Sequence, residues 1–65
     1  MSYNDAIAAV ESGKYGWRTS WSGEWLQQFN GQIYLNTPQG PAQQYNPTPA
    51  DKAATDWAIG DRPPK

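Results

Sequence analysis

Residues 24–37 read EWLQQFNGQIYLNT, and the Asn30-Gly31 pair at the centre decides how the rest is read. Asn-Gly between two runs of alternating side chains is the strongest short-range signal for a two-residue β-hairpin turn, because both central residues must take positive φ. A turn of that length sets the register. Phe29 faces Gln32, Gln28 faces Ile33, Gln27 faces Tyr34, Leu26 faces Leu35 and Trp25 faces Asn36. Successive side chains point to opposite sides of a strand, so the hairpin has two unlike faces. One carries Leu26, Ile33 and Leu35 and is plainly aliphatic; the other carries Trp25, Phe29 and Tyr34 with the amides of Gln27, Gln32 and Asn36.

Upstream of the hairpin, Tyr15, Trp17, Thr19 and Trp21 alternate with Gly16, Arg18 and Ser20, which predicts a strand ending at Ser22-Gly23. On this reading Trp17, Trp21 and Trp25 lie on one side of consecutive strands. Before it, Ser2 to Ser12 reads as an amphipathic helix. Ser2 serves as N-cap, with Asp5 three residues on; Tyr3, Ala6, Ile7 and Val10 form its apolar stripe, and Gly13 follows as the stop. Ile7 and Val10 then have the aliphatic hairpin face to cover. Downstream, Thr37-Pro38-Gln39-Gly40 fits a tight turn, and Pro41 to Asn46 returns as an extended segment. Thr48-Pro49-Ala50-Asp51 spells a helix start with Pro at N1, running through Thr55. Asp56 to Ile59 makes one last strand. The expected fold is α+β: an N-terminal helix packed on a small antiparallel sheet, with a short second helix before the last strand. Residues 1–60 form a single domain and residues 61–65 a flexible tail.

Composition narrows the chemistry. The 65-residue chain contains no cysteine and no histidine, which removes disulfides and the usual zinc ligands together. A domain this small buries only about 60% of the surface its unfolded chain exposes, so self-association is the remaining reinforcement. Five basic and six acidic residues give a net charge of −1 without a charged run; this offers no basic patch to a DNA or RNA polymer. Without His or Cys, acid-base work falls to carboxylates and lysines, and no hydroxyl has a conventional base to activate it. We therefore expect no catalytic residues, no metal and no cofactor. The N-terminus lacks a basic region followed by a long apolar run, and no stretch suits a membrane span, so a cytoplasmic protein is expected.

Two motifs carry a resemblance. A helix ending in Ser12-Gly13-Lys14 is followed by Arg18 and Trp21 in an R-x-x-W spacing, and residues 45–57, YNPTPADKAATDW, fit aromatic-x-x-(Ser/Thr)-x-x-Asp-x-x-Ala-x-Asp-Trp. These residues resemble the second Thoeris anti-defence family of small phage proteins, sponges for cyclic nucleotide immune signals. The resemblance implies an α+β protomer in a homo-tetramer built as a dimer of dimers, acting in the cytoplasm of the infected bacterial host. Ligand sites would lie between protomers. The implied ligand is a cyclic ADP-ribose isomer, with the cyclic di- and trinucleotides of CBASS defence as further candidates, held without cleavage. The chain departs from the family pattern twice. Asn30-Gly31 replaces a longer insertion between the second and third strands, and Tyr45 stands where Trp is common, which keeps a stacking face and adds a hydroxyl.

Trp21 and Tyr45 are the candidates for stacking on a base. Arg18 is a candidate for a pyrophosphate, which its guanidinium grips bidentately. Thr48 and Asp51 cap the second helix, whose N-terminus suits phosphate or ribose hydroxyls; a carboxylate repels phosphate, so the ribose diol is the target of Asp51. Trp25, Phe29 and Tyr34 are the candidate oligomer interface. Two other readings use the same aromatics. GQIYLNT after an upstream Trp resembles a WW domain, but the second Trp is missing and the N-terminal helix has no place there. An aromatic-platform module for protein or carbohydrate ligands needs no net charge and would bind without salt dependence.

Overall fold

The computed structural model describes residues 1–63. Helix α1 spans Tyr3–Glu11. Ser2 Oγ accepts from the Asp5 N–H at 3.2 Å, which satisfies a donor that the first turn leaves free. The helix stops where Gly13 takes φ +109°, a conformation that side chains disfavour. Strands β1 (Tyr15–Arg18), β2 (Trp25–Phe29), β3 (Gln32–Thr37), β4 (Gly40–Gln44) and β5 (Trp57–Gly60) form one sheet in the order β4-β3-β2-β1-β5. Every pairing is antiparallel. Helix α2 (Pro49–Ala53) precedes β5. This is the α+β arrangement read from the sequence.

Asn30 at φ 53° and Gly31 at φ 78° close the β2–β3 hairpin, and the register is the one the turn dictates, from Trp25 opposite Asn36 to Phe29 opposite Gln32. Leu26 therefore faces α1 and is fully buried with Ala6, Val10 and Trp57, while Ile7, Ile33, Leu35 and Ile59 pack around this cluster. Helix and sheet pack tightly at Gly16, where a Cβ would lie 2.7 Å from Val10 Cγ2. That glycine is required by space, since Val10 has no exposure into which to withdraw.

The first strand is shorter than expected. It ends at Arg18 because the Trp21 N–H turns back to the Arg18 carbonyl at 3.0 Å, while the Thr19 N–H closes on the Asp56 carbonyl at 2.9 Å. Trp17 and Trp25 do share the face turned away from α1, since each neighbours a residue, Gly16 or Leu26, that points at the helix. Trp21 leaves that face. Its indole folds to the helix side and meets Trp57 edge-on, ring centroids 5.3 Å apart. A single face for all three tryptophans is thus corrected by one turn.

Further boundaries move, among them that of β5, which spans Trp57–Gly60 rather than Asp56 to Ile59. Strand β4 stops at Gln44, although the Tyr45 N–H still donates to the Ile33 carbonyl at 3.0 Å and carries the Tyr45 side chain to the helix side. Helix α2 ends at Ala53, two residues before Thr55. Its Asp51 carbonyl accepts from the Trp57 indole N–H at 3.0 Å, and the chain extends at once to place β5 beside β1. Within the expected tail, Asp61 pairs with Lys14 at 2.7 Å; residues 64–65 lie outside the described residues.

Candidate functional site

Thr48 and Asp51 start the site. Thr48 Oγ1 accepts from the Asp51 N–H at 3.1 Å, and Asp51 Oδ2 accepts from the Thr48 N–H at 3.5 Å, a reciprocal capping box. The same carboxylate does more. Its Oδ2 accepts from the Tyr45 hydroxyl at 2.8 Å, and its Oδ1 accepts from Arg18 Nη1 at 3.1 Å. Asp51 is only 8% exposed, a burial tolerable for a charged group because it is paired and hydrogen-bonded throughout. Arg18 Nε donates to Asp56 Oδ1 at 2.9 Å, so one guanidinium ties together two carboxylates.

Electrostatic consequences follow from these contacts. The hydrogen bond from Arg18 holds the Asp56 carboxyl below the usual carboxylate range, and Asp56, followed by Asp51, raises Arg18 in turn. Burial pushes the Tyr45 hydroxyl far up, reinforced by its hydrogen bond to Asp51 and by that residue's charge. Tyr45 is therefore neutral at any physiological pH and donates its proton inward.

Aromatic rings line the same region. Tyr3 meets Trp57 at 5.7 Å, Trp57 meets Trp21 at 5.3 Å, and Trp21 meets Tyr45 at 6.5 Å, each in an edge-to-face geometry favourable for π-systems. Trp57, buried in the core, anchors the row, and Trp21 and Tyr45 reach its half-buried end. They open onto a cleft of about 500 Å³. Thr48, Asp51, Leu35, Thr37 and Glu24 also line it, together with the amides of Gln43, Gln44 and Asn46.

Four of the candidate ligand residues, Trp21, Tyr45, Thr48 and Asp51, thus come together on one cleft. Arg18 stands behind them, joined to the cleft through Asp51. The candidate interface residues lie elsewhere, on the face turned from α1, where Phe29 and Tyr34 pack at 6.4 Å beside a second, smaller cleft of about 360 Å³. Phe29 is 63% exposed there. Trp25 Nε1 is buried with no hydrogen-bond partner among the described residues.

Sequence reasoning missed Glu24, the three amides and the part played by Asp56. Nothing local in the sequence identifies Arg18 as what joins Asp51 to Asp56. Among the described residues, no group of three potential ligands could hold a metal ion, and no helix is long and apolar enough to cross a membrane.

The sequence pattern of the Tad2-like family, described as the Thoeris anti-defense 2-like domain, matches residues 1–60. Neither a curated protein nor a solved structure gives a significant match to the chain.

Proposed function

The chain belongs to the Thoeris anti-defense 2-like family and shares its phage anti-defence role, and from that premise we propose that it binds and sequesters a cyclic nucleotide immune messenger without cleaving it. A cyclic ADP-ribose isomer is the first candidate, with cyclic di- and trinucleotides after it. The protein acts inside the host cell as a homo-tetramer, a dimer of dimers.

The cleft where Trp21, Tyr45, Thr48 and Asp51 meet carries this reading. Trp21 and Tyr45 supply aromatic surface for a base, and stacking of that kind is worth about 1–3 kcal/mol per base. Thr48 and the remaining lone pair on Asp51 Oδ1 serve ribose hydroxyls. Arg18 keeps Asp51 in place from behind. Sequestration rather than turnover fits a cleft with no imidazole or thiol and with both of its carboxylates, Asp51 and Glu24, already accepting hydrogen bonds from the chain.

The test is depletion followed by recovery. Purified protein is incubated with a panel of cyclic ADP-ribose isomers and cyclic di- and trinucleotides, and free ligand is measured before and after heat denaturation. Loss of one signal and its intact return on heating supports a sponge. Loss without return means an enzyme, and no loss at all moves the reading to an aromatic-platform module for protein or carbohydrate.

A further inference from the structure

We infer that the Trp21–Tyr45 cleft reads the nucleoside part of its ligand, a base with its ribose hydroxyls, and leaves the phosphate outside; this rests on the sponge reading and specifies which end of the messenger this protomer holds.

Charge is the first argument. The charged side chains lining the cleft, Glu24 and Asp51, are both carboxylates. A phosphate between them would meet like charge at short range, in surroundings where Coulomb repulsion is stronger than in water. Arg18 does not relieve this, because it is not part of the cleft wall and its guanidinium is turned onto Asp51 and Asp56.

The backbone gives the same answer. The start of α2 offers an anion little, since the Asp51 N–H is taken by Thr48 Oγ1 and the Asp51 carboxylate already sits over the Thr48 N–H. Its own side chain fills that place.

Hydrogen-bond polarity then says what is welcome. The Tyr45 hydroxyl spends its only proton on Asp51, so toward the cleft it presents lone pairs alone. It accepts and does not donate. A ribose hydroxyl or an exocyclic amine satisfies it, and a phosphate oxygen, an acceptor facing an acceptor, does not. Gln43, Gln44 and Asn46 add amides able to pair with base edges, and Trp21 adds the stacking surface. A volume of about 500 Å³ lies within the range of small-molecule pockets.

The test follows backbone and indole NMR signals of labelled protein during separate titrations with adenosine, guanosine, adenosine 5′-monophosphate and inorganic pyrophosphate. At least one nucleoside is expected to shift Trp21 and Tyr45, the monophosphate to bind no more tightly than adenosine, and pyrophosphate to leave both signals in place. Tyr45→Phe, checked by its melting curve to be folded, is expected to weaken nucleoside binding roughly three- to tenfold, the worth of one hydrogen bond; undiminished binding by this variant overturns the acceptor role of Tyr45. Pyrophosphate shifts at Trp21 and Tyr45, or a monophosphate advantage that salt erases, overturn the inference. So does silence toward both nucleosides. If a cyclic nucleotide is depleted while the cleft ignores nucleosides, the subsite assignment fails and the sponge stands; if nucleosides shift the cleft and no messenger is depleted, the sponge fails and the subsite stands.

Discussion

Asp51 accepts hydrogen bonds from Arg18, Tyr45 and Thr48 through its carboxylate and from Trp57 through its backbone carbonyl. The side-chain contacts make the cap, the cation and the site tyrosine depend on one another. Trp21, by contrast, packs edge-on against Trp57 and Tyr45 at the half-buried rim of the core. We expect Trp21→Ala to abolish messenger depletion while the assembly persists in sedimentation; dissociation into monomers would make Trp21 structural and remove it from the site. Tyr45 gives a pH signature. Its proton is held more tightly in the folded protein than in the unfolded chain, so its contribution to stability is complete below pH about 10 and is lost as pH rises beyond, because the unfolded tyrosine ionises first. Asp56 works in the other direction. Its folded value is lowered by Arg18, so its contribution is present above about 3.9 and lost as pH falls further. Melting temperatures across pH should therefore fall at both ends, with Tyr45→Phe flattening the alkaline limb and Asp56→Asn the acid one; unchanged limbs in these variants would contradict the assigned contacts.

At the scale of elements, the approach of α1 to β1 depends on Gly16. A methyl group there meets Val10 Cγ2 at 2.7 Å, and overpacking of this kind costs about 1–3 kcal/mol. Gly16→Ala should lower stability by that amount in urea unfolding, and the loss in Gly16→Ala with Val10→Ala should be smaller than the sum of the two single losses. Strict additivity would mean that something other than the Val10 contact sets the spacing. The hairpin depends on local conformation instead. Gly31 at φ 78° has open space where a Cβ would be, so Gly31→Ala destabilises through backbone strain alone, by about 1–2 kcal/mol.

For the whole molecule, the buried apolar residues are Ala6, Val10, Leu26 and Trp57 among the described residues. A core of that size is modest even for a small domain. The opposite sheet face keeps Phe29 63% exposed, and we propose that association of two copies covers it. Phe29→Glu places a charge on that face without touching α1 or the Trp21 cleft. It is expected to shift the protein toward monomers by sedimentation equilibrium; a wild-type that is already monomeric, or a variant assembled like the wild-type, would rule out this face as the interface.

The sequence by itself determined whatever depends on neighbours along the chain. Ser2 and Thr48 as caps, Gly13 as a stop, the Asn30-Gly31 turn, and with it the pairing of Leu26 with Leu35 and of Gln27 with Tyr34, all follow from residues close enough to interact before any fold exists. Only the tertiary structure decided where Trp21 points and what Asp51 does. Alternation alone extended β1 through Trp21, but the turn back to Arg18 is favoured by an indole partner at Trp57, far along the chain. Arg18 likewise reaches Asp51 and Asp56 across 33 and 38 residues. Such contacts exist only once β5 has been laid beside β1, and periodicity, which reports a residue's own element, carries no record of which distant element will pack against it.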